Sequence, residues 1–222
     1  MMTMPTQVAR NTRNAYKINR SLSALLSSAL LIAVFSAGLV QAQTVPAGLT
    51  PAEVESARGV ASALLNQLGQ ALKTSITNDG SVAAVGVCKD VAPSIAANLS
   101  SQQGVQVKRV GTRVRNPNAG VPNGWQKEAL SEFDARLAQG EKPADLEYWR
   151  VVDGTQGKRE LRFAKAIVTQ QLCITCHGKP EDIPAPLLEK IRAEYPQDEA
   201  IGYRVGQLRG AVVVTRALGS DR

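Results

Sequence analysis

The chain has 222 residues, 44% hydrophobic, 4% aromatic and 20% charged, with a formal net charge of +7. That length suits one domain able to bury a core. No run of basic residues interleaved with aromatics occurs, which leaves nucleic-acid binding without support.

Residues 1–20 carry Arg10, Arg13, Lys17 and Arg20 and no acid, and Ser21 to Val40 is an uncharged, mostly apolar run. Val40-Gln41-Ala42 then offers a small-residue cleavage pattern, so residues 1–42 read as a secretory signal peptide cut after Ala42. There is no Arg-Arg pair, so export of the unfolded chain is the expected route, to the periplasm. The plain alternative is an uncleaved anchor, because an apolar run of that length can span a bilayer. Membrane association is expected only in that case. Residues 43–222 keep 22 basic and 19 acidic residues, a net charge of +3, so much of the positive charge belongs to the signal.

Thr50-Pro51-Ala52-Glu53 predicts a capping box with proline at the first helical position. Val54, Ala57, Ala61, Leu64, Leu68, Leu72 and Ile76 recur at three- and four-residue steps, the stripe of an amphipathic helix packed on a core. Asn78-Asp79-Gly80 is expected to end it. A second helical face follows with Val85, Cys88, Ala92, Ile95 and Leu99. Pro93 has no amide hydrogen, so the carbonyl of Lys89 loses its helical partner and the helix should kink or restart there. Cys88 is thereby placed on a buried face beside a backbone irregularity. A buried free cysteine acting as a small hydrophobe is the bland reading.

From Val105 the pattern turns to strand. Val105 and Val107 alternate with polar residues, then the register slips to Val110, Thr112 and Val114, and a bulge at Lys108-Arg109 would explain the slip. Arg115-Asn116-Pro117 to Asn123-Gly124 reads as a turn-rich loop, long enough to bind or cover a ligand. Trp125, Ala129, Phe133 and Leu137 predict a short helix stopped at Gly140. Leu146–Val152 and Lys158–Thr169 read as strands joined by the hairpin signal Asp153-Gly154-Thr155-Gln156-Gly157. Leu161, Phe163, Lys165 and Ile167 share one face of the second strand. A lysine in such a row usually snorkels outward; the functional alternative is a pocket cation.

That strand runs into Cys173-Ile174-Thr175-Cys176-His177, closed by Gly178. Cys-x-x-Cys-His is the attachment signature of c-type haem. Two thiols spaced by two residues reach both porphyrin vinyl groups, and the adjacent imidazole is held beneath the iron. A loop or short helical turn suits such a motif. Lys165, on the strand leading to it, would then be a cation near a haem propionate. Export fits, because covalent haem is added to reduced thiols of an exported chain. A thioredoxin-like dithiol would want a βαβ context that is missing here. Zinc could in principle use Cys88, Cys173, Cys176 and His177, but adjacent Cys176 and His177 would be awkward ligands on one tetrahedral ion. Beyond the motif, Pro184 and Pro186 lead into a short helix with Leu187, Leu188 and Ile191, and Ala211–Thr215 reads as a last strand. Helices first, then a hairpin and further strands, argue for an α+β domain with an antiparallel sheet.

Several segments recur together: Val87-Cys88-Lys89-Asp90-Val91-Ala92-Pro93-Ser94-Ile95-Ala96; Arg115-Asn116-Pro117 with Trp125; Cys173 to Gly178; and Tyr195-Pro196-Gln197-Asp198 through Gly202-Tyr203 to Arg209-Gly210-Ala211. In that order they resemble a PAS-like, single-haem c-type cytochrome family, found free-standing in the periplasm or as the input domain of sensor kinases. The resemblance implies a PAS-like antiparallel sheet flanked by N-terminal helices, with one haem c held by His177 against the sheet. It also implies a cysteine as the opposite iron ligand, carried by the segment that is Val87-Cys88 here. The chain departs from the family pattern at Lys165-Ala166-Ile167, where Lys-Pro-Ile is expected.

Elimination points to the same ligand. His177 is the single histidine, and the three methionines, Met1, Met2 and Met4, all lie in the signal. Cys88, a lysine, a tyrosine, the terminal amine or water remain as the sixth ligand, and Cys88 is the unspent thiol at the family's position. With no second histidine to serve as a distal acid–base group, a haem-binding redox or small-ligand sensor is expected rather than an enzyme such as a peroxidase. An electron-transfer cytochrome is the alternative, and a redox or signalling protein is the expected partner.

Overall fold

The computed structural model describes residues 49–154 and 158–219. The expected signal and its cut after Ala42 lie outside the described residues, as do Thr155, Gln156 and Gly157 of the hairpin turn. Helix α1 spans Pro51–Gly86; a π-helical turn, Val87–Val91, joins it to α2, Ala92–Gln103. Strand β1, Gln106–Gly111, is followed by α3, Gly124–Ala138, and by strands β2, Glu147–Asp153, and β3, Arg159–Val168. Helices α4, Gln171–His177, and α5, Ala185–Glu194, lead to β4, Leu208–Ala217. The four strands form one antiparallel sheet in the order β1-β4-β3-β2. The α+β reading therefore holds.

The capping box is formed: Glu53 N donates to Thr50 Oγ1 at 3.3 Å, and Thr50 N donates to the Glu53 carboxylate at 2.7 Å. The α1 stripe is buried at Ala57, Ala61, Leu64 and Leu68, and burial fades beyond it. Asn78-Asp79-Gly80 interrupts the helix without ending it. Gly80 takes φ 83°, ψ 169°, a left-sided conformation that glycine alone adopts cheaply, and the helix resumes to Gly86. Pro93 acts as expected. With no donor for the Lys89 carbonyl, the helix widens by one residue, and Ala92 N donates to Val87 O in π register.

Both faces of the sheet are covered. Val107, Leu161, Phe163, Val212 and Val214 pack on α1 and α2 through Ala57, Ala61, Leu64 and Leu99. Val110, Ala164, Ala211 and Val213 pack on α3 through Trp125, Ala129, Leu130 and Phe133. Fully burying each such Leu, Val or Phe contributes about 1.5–3 kcal/mol. This two-sided cover corrects the reading of β1. No bulge lies at Lys108-Arg109, where pairing with β4 runs unbroken from Gln106↔Thr215 to Gly111↔Gly210. The apolar pattern slips because Val107 and Val110 serve opposite cores. The irregularity is instead on β4: Ile167 pairs with Gly210 and Val168 with Leu208, leaving Arg209 as the extra residue. The departure at Ala166 has a use, since its amide donates to Leu146 O at 3.0 Å, a bond that proline could not make.

Candidate functional site

The Cys-x-x-Cys-His motif lies on α4, the short helical turn that the sequence predicts, three residues after β3 ends. β3 and β4, on either side of it in sequence, are antiparallel. The motif thus has no parallel βαβ crossover, and the thioredoxin-like alternative fails. Gly178 closes the turn for a steric reason: a Cβ there would stand 2.5 Å from Ile174 O.

All three cysteines are free thiols, each half-buried. Cys176 packs against the cluster of Val85, Ile183, Leu187, Ile191 and Tyr195 beneath α5. Burial pushes its thiol up, opposed by Arg115 and reinforced by Cys88 and Cys173, so the three sulfurs lie within electrostatic reach. Gln170 N donates to Cys173 Sγ at 3.3 Å. Cys88 stands in the π turn and is half-buried, not enclosed as the helical pattern suggested. It also acts on the Tyr195 phenol, which burial first and Cys88 second push up to about 12, so Tyr195 is a neutral phenol at neutral pH.

His177 is held in one tautomer. Its Nδ1 donates to Ala200 O at 2.6 Å, which leaves the lone pair on Nε2. Burial, then Arg115 and Arg209, holds the imidazole well below its ordinary range, so it is neutral at neutral pH. A neutral ring with a free Nε2 is the form that ligates a metal. The Tyr203 ring stands edge-on to it, with centroids 6.2 Å apart.

One buried ion pair fixes the backbone behind this ring. Arg115 Nη2 and Asp198 Oδ2 are 2.9 Å apart, with side chains 9% and 7% exposed. The same guanidinium donates to Cys176 O at 2.6 Å and to Ala200 O at 3.4 Å, while Ala200 N donates to Asp198 Oδ1 at 2.8 Å. Gly202 N and Tyr203 N donate to Gly178 O and His177 O, at 2.6 and 2.8 Å. The acceptor of the His177 proton is thus itself pinned from two sides. Tyr203 is anchored in turn by Thr112 Oγ1 at 2.8 Å and by the Arg113 amide at 3.0 Å.

Lys165 already has partners on the sheet. Its Nζ donates to Ala144 O at 3.0 Å and to Glu147 Oε1 at 3.1 Å, and Arg58 of α1 holds the same carboxylate at 2.8 Å. The cations felt at His177 are Arg115, Arg209 and Arg109. Sequence reasoning assigned no role to Arg109, Arg115, Asp198, Tyr203 or Arg209. Four of these five stand in the recurring segments and were legible as landmarks; their roles need the chain folded.

Comparison with known proteins agrees with this architecture. The model of the Tll0287-like family matches residues 6–216. The chain belongs to the Tll0287-like family. The fold is similar to that in the crystal structure of the cyanobacterial heme-protein Tll0287, with a TM-score of 0.55 and 23% identity over 78% of this chain and 100% of that one. No curated protein matches the chain.

The donor set fits a haem. Two free thiols at the vinyl spacing, a neutral imidazole with its lone pair on Nε2 and a third thiol nearby match what a c-type haem requires. Among the described residues no group of three or more His, Cys, Asp or Glu converges as a metal site, so the Cys₃His arrangement for zinc is not assembled.

Proposed function

We propose that this member of the Tll0287-like family is an exported, periplasmic haem protein carrying one haem c, held covalently by Cys173 and Cys176. His177 is its proximal iron ligand and Cys88 the opposite one. The observation that carries this reading is the fixed tautomer of His177, with Nδ1 bound to Ala200 O and Nε2 free, on a helix presenting two unpaired thiols. When bound, the haem supplies one-electron chemistry and, at an open iron position, small-ligand binding. The chain's own residues hold the imidazole neutral and oriented, and present Cys88 from a π turn. The signal peptide is cut after Ala42, and the domain of residues 43–222 answers to a redox or signalling protein partner; nucleic acid has no part in it.

The fold is read as PAS-like. The first strand pairing with the last, and β3 and β2 following in hairpin order, support that reading. Sensing is favoured because the π turn that carries Cys88 is a site where backbone register is already irregular, so a change of ligand need move little else. An electron-transfer cytochrome is the second reading, favoured by the exposure of Gln171 and Leu172 at the start of α4, which puts the attachment segment near solvent. With one histidine in the chain, already a ligand, no second histidine remains to act as a distal acid–base group, and we propose a redox or sensor role rather than an enzymatic one.

The test is a visible spectrum of purified protein in both redox states, with and without carbon monoxide. A c-type haem spectrum whose reduced form shifts on adding carbon monoxide is the sensing outcome. A c-type spectrum indifferent to the gas in both states favours electron transfer. A protein without haem absorption overturns both.

A further inference from the structure

We infer that Arg109 and Arg209, not Lys165, form the cationic seat for the two haem propionates. This rests on the haem reading above.

Residues 107, 109 and 111 of β1 point to one side of the sheet, the side that Val107 shares with α1. The bulge in β4 re-aims Arg209 toward the same stretch. A Cβ at Gly111 would stand 2.8 Å from Arg209 Nη1, so glycine at 111 is what lets that guanidinium lie across β1. Arg109, one alternation away on the same face, is its neighbour. The Arg209 guanidinium carbon lies 5.2 Å from the Tyr203 ring, which itself stands edge-on to His177 at 6.2 Å, so this cation borders the motif.

Charge balance gives the ligand chemistry. Asp198 is already paired with Arg115, at 2.9 Å. Among the described residues no carboxylate is within ion-pair distance of Arg109 or Arg209. The contacts of Arg209 are the Arg113 carbonyl, at 3.0 Å, and the Tyr203 ring, 5.2 Å from its guanidinium carbon. Two half-buried guanidiniums without counter-ions are costly unless an anion joins them. A haem brings two carboxylates, and planar guanidiniums match carboxylates with paired hydrogen bonds. Lys165, in contrast, has a counter-ion in Glu147.

The experiment uses holoprotein of the wild type, Arg109→Gln, Arg209→Gln, Arg109→Lys and Lys165→Gln. Each is run on a haem-stained denaturing gel, titrated for its midpoint potential, and examined by resonance Raman for the propionate bending mode. Each arginine-to-glutamine change is expected to shift that mode and to lower the potential, because removing a nearby positive charge favours ferric iron. Arg109→Lys should hold the potential near that of the wild type, and Lys165→Gln should leave the propionate mode in place. A stained band with an unchanged propionate mode in both glutamine variants overturns this assignment alone. An unstained wild-type band overturns the haem reading and this assignment with it. If a glutamine variant fails to load haem, Arg109→Lys decides by its potential, since lysine keeps the charge but not the paired hydrogen bonds: a wild-type potential supports the seat, and a potential lowered as far as in the loaded glutamine variant overturns it.

Discussion

Ala200 O accepts from both the His177 ring and the Arg115 guanidinium, so one carbonyl links the orientation of the imidazole to a buried ion pair. Removing one member of such a pair strands the other, a loss on the order of 3–5 kcal/mol. Asp198→Ala should therefore lower the unfolding free energy by about that amount, read from urea denaturation. A loss below about 1 kcal/mol would return Arg115 and Asp198 to the class of ordinary surface pairs. Cys88 carries the other residue-scale claim. The ferric wild type should give a low-spin electron paramagnetic resonance signal typical of thiolate ligation, absent from Cys88→Ala. Identical signals from the two proteins would remove Cys88 from the iron and reopen water, an amine or a phenol as the ligand. The order of the motif was plain in the sequence; the partner of His177 Nδ1 was not, because Ala200 approaches only when the segment after α5 folds back over α4.

Among the elements, α1 and the sheet edge meet at a charged node. Burial alone would raise the Glu147 carboxyl, yet hydrogen bonds from Arg58 and Lys165 outweigh it and hold the group below its ordinary 4.5. A carboxylate depressed on folding stabilises the fold above its unfolded value and loses that contribution as pH falls through the folded one. The stability gap between wild type and Glu147→Gln should therefore be widest above pH about 4.5 and close as pH drops below it, in urea titrations at stepped pH. A gap that stays constant with pH would contradict the pairing. The π turn is fastened similarly, by the Lys89–Glu194 ion pair to α5, where Lys190 and Lys89 hold the carboxyl at about 2. Pro93 announced the irregularity of this segment from sequence, since a missing amide acts locally. The bulge could not be placed that way. Val107 and Val110 mimic a register slip because α1 covers one side of β1 and α3 the other, and the real bulge at Arg209 becomes visible once β3 and β4 are paired. Lys165 shows the same limit: strand alternation gave its face correctly, but its partner, Glu147, comes from the neighbouring strand.

On the scale of the whole molecule, the sheet is a partition. One core, under α1 and α2, fills most of one side, and the other, under α3, fills the opposite side. α4 and α5 add a third cluster that reaches Val85 just before the π turn, so the segment bearing Cys88 and the helix bearing His177 are joined through packed apolar side chains. The central claim, that a haem is covalently held by Cys173 and Cys176, is tested most directly by mass spectrometry of protein recovered from the periplasm after denaturation. The account predicts a single species of residues 43–222 plus one haem, reduced to unmodified polypeptide in the Cys173→Ser, Cys176→Ser double variant. A wild-type protein that appears at the bare polypeptide mass, with any haem released on unfolding, would contradict it.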